Sequence, residues 1–245
     1  VHLAGQALKQ VCQFRRRIAP AGGDRVDDRA RRLELAGVHA AQLGRSPCGL
    51  LGHGCLLDRL LLLRTGFGAG IHTALARIEG RPVGLLANNP QHLGGAIDAD
   101  AADKGARFMQ LCNAHGLPIV SLVDTPGFMV GPEVEATAQV RHVSRLFVTA
   151  ASLRVPTFSV VLRKGYGLGA MGMTAGGFHV PVFTVAWPTG EFGAMGLEGA
   201  VRLGFRKELE ALPEGAERDA LFAKLLAKSY ANGEAMHMAA TLEID

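Results

Sequence analysis

Val123-Asp124-Thr125-Pro126-Gly127 and, forty residues on, Arg163-Lys164-Gly165-Tyr166-Gly167-Leu168-Gly169-Ala170-Met171 carry more information than any other part of this chain. Each stretch follows an apolar, β-branched run, Pro118 to Val123 in one case and Val155 to Leu162 in the other. Each therefore stands at the end of a predicted strand. Each then breaks into glycine and opens toward a helix-like segment. Glycine admits positive φ and lets a ligand approach the main chain closely. Two such elbows in one small domain point to backbone N–H groups aimed at an oxyanion, rather than to side chains exchanging protons.

The pattern around the elbows is regular. Ile71 to Ile78 alternates like a strand, Glu79-Gly80 reads as a turn and Pro82 to Asn88 as a second strand, which makes a hairpin. Ala99 to His115 is an amphipathic helix: Ala102, Ala106, Met109 and Cys112 recur at helical spacing. Asp98 or Asp100 serves as its N-cap, and Gly116 stops it. Leu117 to Val123 is then a buried strand and Pro132 to Ser152 a second long helix. After the strand Val155 to Leu162 come a short helix, Gly169 to Gly176, a strand, Val180 to Ala186, and a helical stretch, Lys207 to Ala239. Strands alternating with helices predict an α/β layered fold built on crossovers.

Residues 1–64 lack this order. Arg-rich and Leu-rich stretches alternate there without a clean period, so the expected boundary lies between residues 64 and 65. The net charge of +4 hides an asymmetry: residues 1–64 hold 11 Lys/Arg against 5 Asp/Glu, whereas residues 65–245 hold 15 against 17. Phe14 is the lone aromatic of the basic segment, which argues against a nucleic-acid surface. No apolar run approaches the roughly 18 residues of a membrane span, since Leu60 to Leu63 is flanked by Asp58, Arg59 and Arg64. No signal peptide is expected, and the first residue is Val1, so the sequence reads as a fragment or a processed chain. Cys12, Cys48, Cys55 and Cys112 form no C-x-x-C pair, and His53 beside Cys48 and Cys55 lacks finger spacing. Free thiols in a reducing cytoplasm, and no metal site, are the expectation.

Taken in order, these segments resemble the carboxyltransferase (β) subunit of biotin-dependent acyl-CoA carboxylases, of the propionyl-CoA carboxylase and methylmalonyl-CoA transcarboxylase type. The resemblance is carried by Arg81-Pro-Val-Gly-Leu-Leu-Ala-Asn-Asn-Pro90, Ile97-Asp-Ala-Asp-Ala-Ala-Asp-Lys-Gly-Ala-Arg-Phe108, Leu122-Val-Asp-Thr-Pro-Gly-Phe128, Val161-Leu-Arg-Lys-Gly-Tyr-Gly167 and Ala186-Trp-Pro-Thr189. It covers about residues 64–243, the C-terminal half of that subunit. It implies a crotonase-like ββα superhelix. It implies transfer of CO₂ from carboxybiotin to the α-carbon of an acyl-CoA, with backbone amides in two oxyanion holes and the departing biotin nitrogen able to serve as base. That agrees with the absence of any Ser-His-Asp or paired-carboxylate constellation.

By the same resemblance, the biotin oxyanion hole falls on the Leu168–Gly169 peptide with Gly167 and Ala170, and Gly127 and Phe128 line the biotin pocket. Relatives carry Gly-Gly-Ala here, and Leu168 interrupts it; propionyl-type members carry an acid at the place of Met171, so their substrate preference does not transfer. The implied partners are a biotin carboxylase/biotin carrier subunit and an acyl-CoA-binding half or neighbouring carboxyltransferase subunit, in a homo-oligomer. Other readings are structural: Gly167 to Gly172 as allowing tight helix–strand packing, Asp124 as a turn or N-cap residue rather than a direct ligand contact, and Trp187-Pro188 as a core or subunit-interface anchor. Lys104 and Arg107 are expected on a solvated face, Arg163-Lys164 in a structural place or beside a carboxylate, and His92, His115 and His142 as surface or satisfied residues.

The family's N-terminal half is not recognisable in residues 1–64, and the family continues past Asp245 with one more helix. The expectation is a truncated product whose first 64 residues are read in a shifted frame. Three functions follow: a half working beside an acyl-CoA-binding chain, an inactive remnant that only binds carboxylase subunits, and a crotonase-type hydratase or biotin-dependent decarboxylase. A hydratase would need carboxylates near the elbows. Replacing Gly169 by a bulky β-branched residue is expected to abolish transfer with the fold intact.

Overall fold

The computed structural model describes residues 57–245. The expectations placed on residues 1–56, including Cys12, Cys48 and Cys55, lie outside the described residues. Strands β1 (Leu57–Leu63), β2 (Ile71–Ile78), β3 (Arg81–Asn88), β4 (Ile119–Thr125), β5 (Thr157–Tyr166) and β6 (Phe183–Ala186) form one sheet in that spatial order. A short strand, β7 (Glu191–Gly193), pairs with the end of β5. β1, β2 and β3 pair antiparallel in turn, and β3 through β6 pair in parallel.

The β2–β3 hairpin closes through Glu79 at φ 51° and Gly80 at φ 76°. Positive φ at both central residues marks the turn that matches strand twist. The leucine run ahead of it folds as edge strand β1, with Leu60 opposite Ala76 and Leu63 opposite Thr73. The sheet thus begins ahead of the expected 64/65 boundary.

Helix α1 (Ala99–His115) has the bounds its periodicity predicts. Its N-cap is Asp98, whose carboxylate accepts from the Ala101 N–H at 2.8 Å, and Gly116 ends it at φ 67°. One face of α1 packs on the sheet; of the two charges expected on a solvated face, Arg107 is exposed, whereas Lys104 is buried. The long helix expected from Pro132 to Ser152 is two, α2 (Pro132–Glu135) and α3 (Gln139–Ala150). Ala138 breaks it in the left-handed region at φ 60°, and the Gln139 side chain donates to the Ile97 carbonyl at 3.0 Å. The buried amide bond holds α3 against the β4 end and dictates where the new helix begins.

β4 is buried along its whole length. Its alternate residues enter two cores, as the strand period requires. Ile119 and Val123 face α1, α3 and the short helix α4 (Gly167–Met173), packing with Leu86, Met109, Cys112, Leu146 and Met173. Val120 and Leu122 face the other way, with Val160, Phe183 and the partly buried Trp187. Trp187 is therefore part of a core, as one of its two readings held. α5 (Leu197–Gly204) precedes the C-terminal helical stretch, which is itself broken into α6 (Arg206–Glu210), α7 (Ala216–Asn232) and α8 (Ala235–Ala240). Among the described residues, no helix is long and apolar enough to cross a membrane.

Candidate functional site

The first elbow follows β4. Gly127 turns the chain at φ 129°, and Thr125 locks the turn. The Thr125 Oγ1 accepts the Gly127 N–H and donates to the Gly127 carbonyl, each at 3.1 Å. Ile97 then bridges the next residue: its N–H donates to the Gly127 carbonyl at 3.0 Å, and its carbonyl accepts the Met129 N–H at 2.9 Å. In such a parallel bridge the flanking residues use their groups, and the N–H of Phe128 itself faces away from Ile97. Gly127 therefore spends its own amide inside the turn, while Phe128 keeps its amide available.

The second elbow lies later than its sequence pattern indicates. β5 runs on through Arg163-Lys164-Gly165 to Tyr166, because β7 pairs with Lys164, Gly165 and Tyr166 and extends the ladder. The break comes at Gly167, at φ 56°, where a Cβ would stand 2.5 Å from the Ala194 carbonyl oxygen. Helix α4 starts there, two residues ahead of the expected Gly169. Tyr166 gives no side-chain cap. The first-turn amides of Gly167, Leu168 and Gly169 thus lack intrahelical partners. Gly169 and Ala170 are buried, whereas the Leu168 side chain is 61% exposed and points away from the packing.

The two elbows meet backbone to backbone. A Cβ on Gly169 would lie 2.6 Å from the Gly127 carbonyl carbon and 2.7 Å from its Cα. Contacts that short do not exist in folded proteins, so Gly169 is there for close approach. The expectation that a bulky residue at Gly169 leaves the fold intact is therefore overturned: it must push the elbows apart. The Phe128 ring wedges beneath, edge-on to Phe147 at 6.2 Å, and a Cβ on Gly172 would sit 3.2 Å from it.

Asp124 and Glu191, beside the elbows, are both engaged. Asp124 is neither a turn nor an N-cap residue. Its Oδ1 accepts from the Arg163 Nε at 3.1 Å and the Lys164 N–H at 3.3 Å, bracing β4 against β5 where their register shifts. Arg163 thus does approach a carboxylate. Glu191, placed by sequence beyond the Trp187 strand, is carried back by β7 to accept the Tyr166 hydroxyl at 2.7 Å. Burial, then the Glu191 bond, pushes the Tyr166 hydroxyl far above its ordinary range, so it stays a donor. Glu198 accepts the Tyr230 hydroxyl at 2.9 Å and is held below the usual carboxylate range, first by a backbone hydrogen bond and then by that hydroxyl. His92 pairs with Asp98 and His142 with Asp103, both at 2.9 Å. The elbows therefore offer main-chain donors, and Asp124 and Glu191 are committed to other partners.

The structure places Gly127 and Phe128 on the first elbow and Gly167, Leu168, Gly169 and Ala170 on the second. Sequence reasoning missed the Tyr166–Glu191 tie, because a strand of three residues leaves no readable period.

The arrangement has close counterparts. The chain is 38% identical over 172 residues to the biotin-dependent acetyl-/propionyl-coenzyme A carboxylase beta5 subunit of Mycobacterium tuberculosis, covering 69% of this chain and 31% of that one. It is 38% identical over 151 residues to the methylmalonyl-CoA carboxyltransferase 12S subunit of Propionibacterium freudenreichii subsp. shermanii, covering 62% and 29%. Among solved structures, transcarboxylase 12S superposes with a TM-score of 0.71 at 33% identity, over 78% of this chain and 36% of that one. A single-chain, multi-domain long-chain acyl-CoA carboxylase superposes with a TM-score of 0.68 at 56% identity, over 76% and 18%. The fold is thus the crotonase-like α/β fold expected from the sequence. The chain spans about 30% of the length of the curated relatives it matches. Residues 58–245 match the carboxyl transferase domain, and the chain belongs to that family.

Proposed function

We propose that this chain is the carboxybiotin-receiving half of the carboxyltransferase of a biotin-dependent acyl-CoA carboxylase, of the acetyl-CoA or propionyl-CoA class. The observation that carries the reading is the closure of the two elbows on each other at Gly127 and Gly169, at the uncapped start of α4. Carboxybiotin, when bound, supplies the CO₂ group. The residues present fit a small polar head on an apolar body. The amides of Phe128, Gly167, Leu168 and Gly169 serve the head, with Ala170 closing the turn behind them, and the exposed Leu168 side chain serves the body.

Donors fixed in place before the ligand arrives hold negative charge at one oxygen without reorganising. Because they are amides, they do so without exchanging a proton. Asp124 and Glu191, committed to Arg163 and Tyr166, are not free to serve as the general acid or base of a hydratase. A biotin carrier subunit delivers the group, and an acyl-CoA-binding half or a neighbouring subunit of a homo-oligomer presents the thioester.

Titration of the isotope-labelled chain with biocytin, followed by amide resonances, tests the reading. Saturable shifts at Phe128, Leu168 and Gly169 are expected. Shifts confined to other amides, or none, would sink it.

A further inference from the structure

We propose that the cleft between β1 and the outer side of α1 binds a phosphate-type polyanion through Lys104, Arg64 and Arg107. The cleft has a volume of about 470 Å³ and takes its lining from β1, β2 and α1. None of its lining residues belongs to either elbow. Lys104 forms its floor at 2% exposure. The Nζ donates to the Gly68 carbonyl at 3.3 Å, and among the described residues no carboxylate pairs with it. An ammonium has three donors, and burying one without a counter-charge is costly.

The neighbouring charges make this worse rather than better. Arg64 lies on the rim in the left-handed region at φ 52°, a conformation costly for any residue with a Cβ. Burial lowers the Lys104 pKa first, and the Arg64 charge lowers it further. His72, on β2, is lowered in turn by burial and then by Lys104. Arg107, one turn along α1 from Lys104, lines the same cleft and uses one guanidinium donor on Gln110 at 3.0 Å. No Asp or Glu is among the described lining residues. Three cations converge on a space large enough for a small ligand, and a doubly charged oxyanion between them turns each repulsion into an attraction. Phosphate esters and diphosphates carry that charge in a compact group; a single carboxylate does not. The inference does not depend on carboxybiotin binding at the elbows.

The test uses the whole chain and inorganic pyrophosphate, against sodium chloride at matched ionic strength. Isothermal titration is expected to show saturable binding, and the thermal midpoint to rise with pyrophosphate but not with chloride. Lys104→Met keeps the buried stem and removes the charge; it should weaken binding about tenfold or more without lowering the midpoint of the anion-free protein. Arg64→Gln, at an exposed position, should weaken binding even if Lys104→Met does not fold. Coenzyme A in place of pyrophosphate separates the sources: Lys104-dependent binding of both identifies a nucleotide-borne phosphate, and binding of pyrophosphate alone a free anion. Absence of saturable binding, or binding unchanged in both variants, overturns the proposal.

Discussion

Cys112 shows how completely tertiary packing can govern a single side chain. It was legible as a small core residue from its place in the α1 period, and it is fully buried. Burial pushes its thiol up to about 12, with a backbone hydrogen bond opposing slightly. The folded pKa is raised above the unfolded one, so the stabilisation is complete below the ordinary thiol range and is lost as pH rises from about 9 toward about 12. Iodoacetamide at pH 8 should therefore leave the Cys112 peptide unmodified until denaturant is added; labelling in the native protein would contradict the burial. Gly169 reads either as a site of ligand approach or as a packing glycine, and what approaches it most closely is Gly127. Gly169→Ala is expected to cost about 1–3 kcal/mol in urea unfolding, the usual range for forcing extra volume into a packed contact. Leu168→Ala, on an exposed side chain, should change stability by less than about 0.5 kcal/mol while weakening biocytin binding. If both variants unfolded equally readily, the division between packing and binding residues on this helix would be wrong.

At the scale of elements, legibility follows locality. α1 could be read to the residue because its cap, its apolar period and its stop all lie within the segment. Asp98→Ala removes the cap that accepts the Ala101 N–H and also the His92 partner. It should cost about 1–2 kcal/mol by chemical denaturation. The break at Ala138 could not be read, since Val134 to Gln139 contains neither glycine nor proline and the helix restarts where Gln139 reaches Ile97, forty-two residues away. The same holds for the end of β5, which β7 extends from another part of the chain. Tyr166→Phe tests that tie: it leaves Glu191 without its hydroxyl, which should cost about 1–3 kcal/mol. Faster amide exchange at Gly167 to Ala170 is expected as well. Unchanged exchange there would show that β7 does not steady the elbow.

For the whole molecule, the proposed function makes turnover depend on an acyl-CoA-binding half. Biotin-dependent carboxylation of acetyl-CoA or propionyl-CoA should be absent with this chain alone and present when a separately produced acyl-CoA-binding half is added. Turnover by the chain alone would overturn the division of labour. The amino-acid sequence by itself determined the α/β alternation, the hairpin, α1 and the two glycine elbows, because strand and helix periods and turn chemistry act over a few residues. Tertiary structure alone decided that Gly169 rests on Gly127, that Asp124 and Glu191 are spent on Arg163 and Tyr166, and that Lys104 is buried among like charges. Those outcomes depend on contacts between residues tens of positions apart, whose pairing is set by how β4, β5, β7 and α1 pack rather than by any local preference.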